Sequence, residues 1–309
     1  MNAMNYVSFA EQWERRATIR TRPRRRLEQD DRLIYPLSRQ PLAVSAVLQR
    51  ECPEQRDFVL LQTLYKFIHD IVIFETEIVD KTARSIAKGH FDVSFPAPCR
   101  YDAMTVVVDE DYHALVAMDF LQQTIDATGI EPIPMPLEIE LSRAIPAAVG
   151  RAPIHLRAAV ELICVAMAEN TVTNDVAAFA KDDTVKPSIK GLMADHLADE
   201  GRHSSFWTDL TRLYWGTAPA TDREAIAMSL PLFIEQYLTN DIQRAFDSAL
   251  IDALPVLPAT ARALKEEVAG LAFPLGPQHP LVLNLMNFLR RSSLLDAPCV
   301  QQAVAPYLP

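Results

Sequence analysis

From about position 54 onward, apolar residues recur at three- and four-residue intervals, the period of helices that bury one face. The first stretch, 54–88, carries Phe58, Leu61, Leu64, Ile68, Ile71 and Val72 at that spacing and stops at Gly89-His90-Phe91, ahead of Pro96 and Pro98. A second covers about 100–127 and ends at Gly129 and the proline-rich Glu131-Pro132-Ile133-Pro134-Met135-Pro136. A short helix is expected over 138–148, closed by Gly150. A third long one is expected over 154–181, with Asp182-Asp183 as a turn. Pro187 opens a fourth, 187–214. The stretch 221–253 contains Pro231 and is expected to kink or split there. Shorter helices follow over 259–269, 280–291 and 298–307. No strand alternation stands out. The pattern predicts an all-α protein: an N-terminal arm (1–53), then a helical bundle (54–309) whose long helices pair first with second and third with fourth, with the C-terminal helices wrapped around them.

Polar residues break the apolar stripes at few places, and these carry the chemistry. Two helices hold the same pentad, Asp109-Glu110-Asp111-Tyr112-His113 and Asp199-Glu200-Gly201-Arg202-His203. A carboxylate and an imidazole at i and i+3 share a helix face, so both reach one metal ion. Glu75 lies in the apolar run Ile71–Val79. Glu77 points to nearly the opposite face, and Glu75 is the one that shares a face with Ile71 and Ile78. Glu169 follows Cys164-Val165-Ala166-Met167-Ala168; its competitor Glu161 sits near the helix start, where the macrodipole favours a carboxylate. His196, Glu200 and His203 are spaced i, i+4, i+7 on one stripe. The candidate ligands are therefore Glu75, Glu110, His113, Glu169, His196, Glu200 and His203. Four carboxylates converging in a dry bundle would repel one another and lose hydration. Two divalent cations cancel their charge, and hard carboxylates with neutral imidazoles suit iron, or manganese, rather than zinc or copper. Asp199 is expected to orient His113, and Asp109 to orient His203, by hydrogen bonds across the bundle. His69, His90, His155 and His279 are read as ordinary surface or loop residues, and Met167, Met193, Phe74, Phe120 and Phe206 as core or pocket wall.

Composition narrows the class further. Apolar residues make up 49% of the 309 positions, glycine occurs only 8 times and proline 22 times. No glycine-rich phosphate loop is present. The net charge of −10 disfavours nucleic acid as a partner. The basic run Arg20-Thr21-Arg22-Pro23-Arg24-Arg25-Arg26 is read as a solvated segment neutralised by Glu28, Asp30 and Asp31. Cys52, Cys99, Cys164 and Cys299 form no C-x-x-C pair, and Cys164 reads as core. With no signal pattern and no membrane-length apolar run, a cytoplasmic enzyme without a membrane partner is expected, a homodimer on base rates.

Glu75, Glu110-x-x-His113, Glu169 and His196-x-x-x-Glu200-x-x-His203 resemble the ligand pattern of the AurF-like di-iron N-oxygenases, the p-aminobenzoate N-oxygenase family. The histidine ahead of the last Glu-x-x-His is that family's mark, and Pro23-Arg24-Arg25 is similar to its N-terminal region. The resemblance is good from Tyr65 to Trp207 and weak beyond. It implies a ferritin-like four-helix bundle with additional N- and C-terminal helices, holding two iron ions (Fe²⁺/Fe³⁺). It also implies O₂ as co-substrate and oxidation of an amine to a hydroxylamine, nitroso or nitro product in natural-product biosynthesis. Electrons would come from an external ferredoxin or reductase, since no flavin, nicotinamide or iron–sulfur motif is present. The family's aminobenzoate enzymes are expected to hold the substrate carboxylate with a C-terminal arginine. Here the comparable stretch, Pro280–Met286, is aliphatic and is followed by Arg290 and Arg291. An arylamine acid, an aliphatic amine, an amino-acid-derived amine and a carrier-bound amine all stay open. Two other readings of the same residues are a di-iron C–H hydroxylase or desaturase and a non-catalytic ferritin-like iron-handling protein.

Overall fold

A computed structural model describes residues 6–271 and 274–308, with no side-chain description at 172–175 and 178. Among the described residues the fold is all-α, with one isolated bridge, Leu33 to Val185, in place of any sheet. The arm contributes α1 (Ala10–Arg16), α2 (Thr18–Thr21) and α3 (Ala46–Glu51). Two antiparallel pairs then build the bundle. The first is α4 (Arg56–Ile73) running through a π-wound turn (Phe74–Val79) into α5 (Asp80–Lys88), packed on α6 (Ala97–Thr128). The second, after α7 (Glu140–Arg151), is α8 (Arg157–Ala180) packed on α9 (Pro187–Thr217). The rest is α10 (Ala220–Ala227), α11 (Leu230–Leu238), α12 (Asp241–Asp252), α13 (Pro258–Gly270), α14 (Pro280–Arg291) and α15 (Pro298–Ala303). Of these, α11 covers α7, α14 lies on α8, and α13 closes on α3. No described helix is long and apolar enough to cross a membrane.

The boundaries follow local chemistry. Gly89 and Gly129 end α5 and α6 in the left-handed conformation (φ 70° and 67°), where a side chain would be strained. Proline opens α9, α13, α14 and α15 at the first turn, where its missing N–H costs nothing.

Two expectations need correction. The stretch 54–88 is not one α-helix: the Asp80 N–H bonds to the Glu75 carbonyl five residues back, so the winding loosens at the candidate ligand. The stretch 221–253 breaks before Pro231 rather than at it, at Met228-Ser229, because Pro231 fits the first turn of α11; a second break falls at Asn240, which is left-handed.

The core divides into two apolar clusters. One contains Phe74, Val79, Val106, Met167, Phe206 and Trp207. The other contains Ile68, Ile71, Phe120, Phe179 and Met193. All four long helices pass from one cluster to the other. Glu75, the Glu110–His113 pair, Glu169 and the His196–His203 stripe lie at or within about a turn of that crossing. The polar residues therefore form a single seam through the middle of the bundle.

Candidate metal centre

The seam is dry. Glu75, Glu110, Glu169 and Glu200 are each about 1% exposed and His203 is fully buried; His113 and His196 keep 6% and 8%. The side chains converge in three groups whose ligand atoms lie within 4.8 Å of one another: Glu75 with His113 and His196, Glu110 with Glu169 and His203, and Glu110 with His113 and Glu200. His196 Nε2 sits 3.1 Å from Glu75 Oε1 and 3.2 Å from Glu200 Oε1. His203 Nδ1 is 3.0 Å from Glu110 and 3.2 Å from Glu200, and His113 Nδ1 is 3.2 Å from Glu110. All seven sequence-derived candidates are thus brought to one place. Glu77 is exposed, and Glu161 turns away to Thr82 Oγ1 at 3.0 Å.

The opposite edge of two imidazoles faces an aspartate on the neighbouring helix. His113 Nε2 lies 3.2 Å from Asp199 Oδ2, and His203 Nε2 lies 3.1 Å from Asp109 Oδ2. Each contact leaves Nδ1 turned inward and fixes the ring. Arg202, buried between the pentads, donates one Nη to Asp109 and, at 2.9 Å, to Asp199 Oδ1. From the arm, Trp13 Nε1 donates to Asp109 Oδ1 at 2.9 Å, and the Thr18 backbone N–H and hydroxyl both donate to Asp199. Trp207 Nε1 donates to Glu169 Oε1 at 3.0 Å.

Sequence reasoning missed Trp13, Thr18, Arg202 and Trp207. Two of them left a signal: Trp207 extends the His196, Glu200, His203 stripe by one turn, and Arg202 is three residues after Asp199. Nothing local marks Trp13 or Thr18, whose partners lie 96 and 181 residues away.

The basic run is corrected as well. Arg25 makes a two-pronged bond to Asp195 on α9, at 2.6 and 2.9 Å, and Arg24 pairs with Asp119 on α6. Glu28 instead accepts from the Ser188 N–H and Asp30 from Lys186. The run staples the arm to the bundle. His279 also departs from a surface role: it is 8% exposed, and its Nδ1 accepts from the Leu281 N–H at the start of α14.

Electrostatics test whether cations fit here. Burial pushes the Glu75 carboxyl up to about 7 against the pull of His196. Burial and the charges of Glu200 and Glu110 hold Glu169 well above the carboxylate range. Burial would lower the imidazoles, yet Asp199 and Glu110 hold His113 well above its ordinary value. Glu110 and Glu200 likewise override burial at His203. Glu75 Oε2 and Glu200 Oε2 are buried with no hydrogen-bond partner among the described residues. A site that must gather protons onto carboxyls and imidazoles, and still strands carboxylate oxygens, is short of positive charge. Two divalent cations fit its donor set.

Comparison with known proteins agrees with the helical bundle. A 4-aminobenzoate N-oxygenase of Streptomyces thioluteus is 25% identical over 238 residues, 77% of this chain and 69% of the relative. The family model described as P-aminobenzoate N-oxygenase AurF matches residues 8–264, most of the chain, and the protein therefore belongs to the AurF family of N-oxygenases.

Proposed function

We propose that this protein is a di-iron, O₂-dependent N-oxygenase, with Glu75, Glu110, His113, Glu169, His196, Glu200 and His203 as the ligands and an amine as substrate. The observation that carries the reading is His196, which stands 3.1 Å from Glu75 and 3.2 Å from Glu200 as a third imidazole among four buried carboxylates, in a chain of an N-oxygenase family. Iron held by these seven residues would supply the redox chemistry, in which one atom of O₂ goes to the amine nitrogen and the other leaves as water with two protons and two electrons from an external ferredoxin or reductase.

The protein's own work is positional. Asp109 and Asp199 hold the His203 and His113 rings with Nδ1 inward. Arg202 balances both aspartates, and Trp207 fixes one oxygen of Glu169. The two apolar clusters exclude water from the reacting face.

Substrate space is available beside α4. A cavity of about 710 Å³ is lined there by Phe67, Asp70, Leu238, Gln243, Asp247 and Leu271 among others. Asp70 lies five residues before Glu75, about 8 Å along the helix axis, and none of the seven candidate ligands themselves line the cavity. That volume accommodates an amine of ordinary organic size. Neither Arg290 nor Arg291 lines this cavity; Arg39, Lys66, Arg244 and Lys265 do, with Lys66 paired to Asp70, Arg244 to Asp241 and Lys265 to Asp252.

The test is anaerobic loading with Fe²⁺, elemental analysis, then exposure to ¹⁸O₂ with an aromatic and an aliphatic amine panel plus a chemical reductant. Two irons per chain and ¹⁸O on nitrogen are expected. Fewer than two irons per chain overturns the proposed ligand set, and label on carbon alone moves the enzyme to the hydroxylase class.

A further inference from the structure

A second, much smaller cavity, of about 40 Å³, lies against the centre between α4, α6 and α9. Its wall includes Ile68, Ile71, Val116, Ala117, Leu192 and Met193, and it reaches His113 and His196. Those two imidazoles are also the only candidate ligands with more than about 1% exposure. The residual exposure of these two rings and the cavity against them mark one approach to the centre.

Size and polarity select the occupant. One water needs about 10–15 Å³ of such space, so about 40 Å³ holds a few atoms and excludes an organic amine. Most of the wall's accessible surface is apolar, with Thr18, Tyr112 and the two imidazoles as polar exceptions inside the rim, so a water there recovers only part of its hydrogen bonding, whereas an apolar diatomic gas gives up none. The rim is made differently. Arg22, Pro23 and Arg25 of the arm lie over it, and Arg25 is fixed to Asp195 by bonds of 2.6 and 2.9 Å. Gly191 on α9 makes that closure fit, because a Cβ there would stand 2.8 Å from the Arg25 guanidinium. The basic run therefore serves as a fixed cover over an apolar recess.

We infer that this recess is a holding site for dioxygen, entered beneath the Arg22–Arg25 segment and opening onto His113 and His196, apart from the larger cavity on α4 that suits the amine. The inference rests on the O₂-dependent reading of the centre. Its first test does not: crystals of the full chain are pressurised with xenon, an apolar gas probe that needs neither iron nor substrate. Xenon density among Ile71, Ala117 and Leu192 is expected. Ordered water or an ion in its place, or xenon bound only elsewhere, overturns the assignment.

The second test uses iron-loaded, reduced protein mixed with O₂ at several concentrations in a stopped-flow spectrometer. Ala117→Leu places three more carbons in the recess one turn beyond His113, and the second-order rate constant for O₂ should fall at least tenfold with iron per chain unchanged. A wild-type rate overturns the inference. Leu192→Ala is the companion variant, expected to raise xenon occupancy without slowing the O₂ reaction; it decides the matter if Ala117→Leu does not fold. Xenon in the recess of a protein that consumes no O₂ defeats the oxygenase reading and leaves the gas site standing. Nitrogen-bound ¹⁸O in a protein whose recess takes no xenon, and whose Ala117→Leu variant reacts normally, defeats the gas site alone.

Discussion

Arg202 offers the sharpest check on the energetics of the centre. Among the described residues it is the one guanidinium in contact with both Asp109 and Asp199, whose side chains are fully buried, and its own side chain is 6% exposed. Replacing it with methionine keeps most of the stem packing and removes the charge. Breaking a buried ion pair by removing one partner costs about 3–5 kcal/mol, because the surviving charge is left desolvated. The structure favours the lower end. Asp109 keeps Trp13 and His203, Asp199 keeps Thr18 and His113, and the Arg202 Nε makes no hydrogen bond to begin with. A loss of about 3 kcal/mol is expected. At roughly 2 cal/mol/K of unfolding entropy per residue, a chain of this length should lose about 5 °C in Tm. The assay is thermal unfolding of the metal-free protein followed by circular dichroism, with Arg202→Lys beside Arg202→Met. Lysine keeps the charge but cannot fork to both aspartates, so it should fall between wild type and methionine. A methionine variant within 1 °C of wild type, taking ~1 °C as measurement error, refutes the charge-balance argument. So does a lysine variant as damaged as the methionine one.

Three further outcomes follow from the geometry. Asp199→Asn should lower metal affinity by about 10–100-fold while leaving all seven donors in place, as measured by competition with a chelator. Deleting Thr76, an exposed residue of the π-wound turn, should let that turn close as an ordinary α-helix; helicity by circular dichroism is kept, but Glu75 is re-aimed and elemental analysis finds less metal per chain. Burial pushes the Asp247 carboxyl up to about 6 from an ordinary 3.8. A folded value above the unfolded one means stability present below pH 4 and lost as pH rises to 6, so the urea midpoint of Asp247→Asn should gain on wild type between pH 4 and pH 7.

Much of the helical framework was legible because periodic burial leaves a periodic signal. The stretches 280–291 and 187–214 show this best: α14 has those same bounds and α9 starts at Pro187. The choice of Glu75 over Glu77 was legible for the same reason, since residues two apart on a helix cannot both face one core. The π-wound turn was not. One loosened turn adds a single residue, and in the run 71–79 apolar side chains stand on both sides of Glu75, so the composition of 74–79 reads as ordinary helix. The arm was not legible either. Trp13 and Thr18 reach their partners through chain folding, and their own neighbourhood, Glu14 to Arg20, is polar and aperiodic. Charge counting along the chain also misled. Arg25 has Glu28 three residues away, yet binds Asp195, because a short extended segment lies across α9 and not back on itself.

These misses share a cause that bears on how the centre works. Sequence periodicity reports what each helix buries, whereas the seam is held by contacts between helices and by the arm. Asp109 on α6 serves a histidine of α9, Asp199 on α9 serves a histidine of α6, and Arg202 ties the two together. The crossed arrangement makes each Glu-x-x-His pair depend on the other helix for its ring orientation, so the two halves of the donor set are built together or not at all. Trp13 and Thr18 extend that dependence to the arm, which covers both aspartates. Positive charge missing from the seam is supplied meanwhile by protons, on Glu75 near neutrality and on the three histidines, with His196 raised to about 9 against burial and the repulsion of His113. Cations entering the seam must displace those protons. On the proposed ligand set, affinity for metal is therefore expected to climb with pH across the neutral range, and the buried carboxylates that weaken the empty bundle would become its cross-links once their charge is matched.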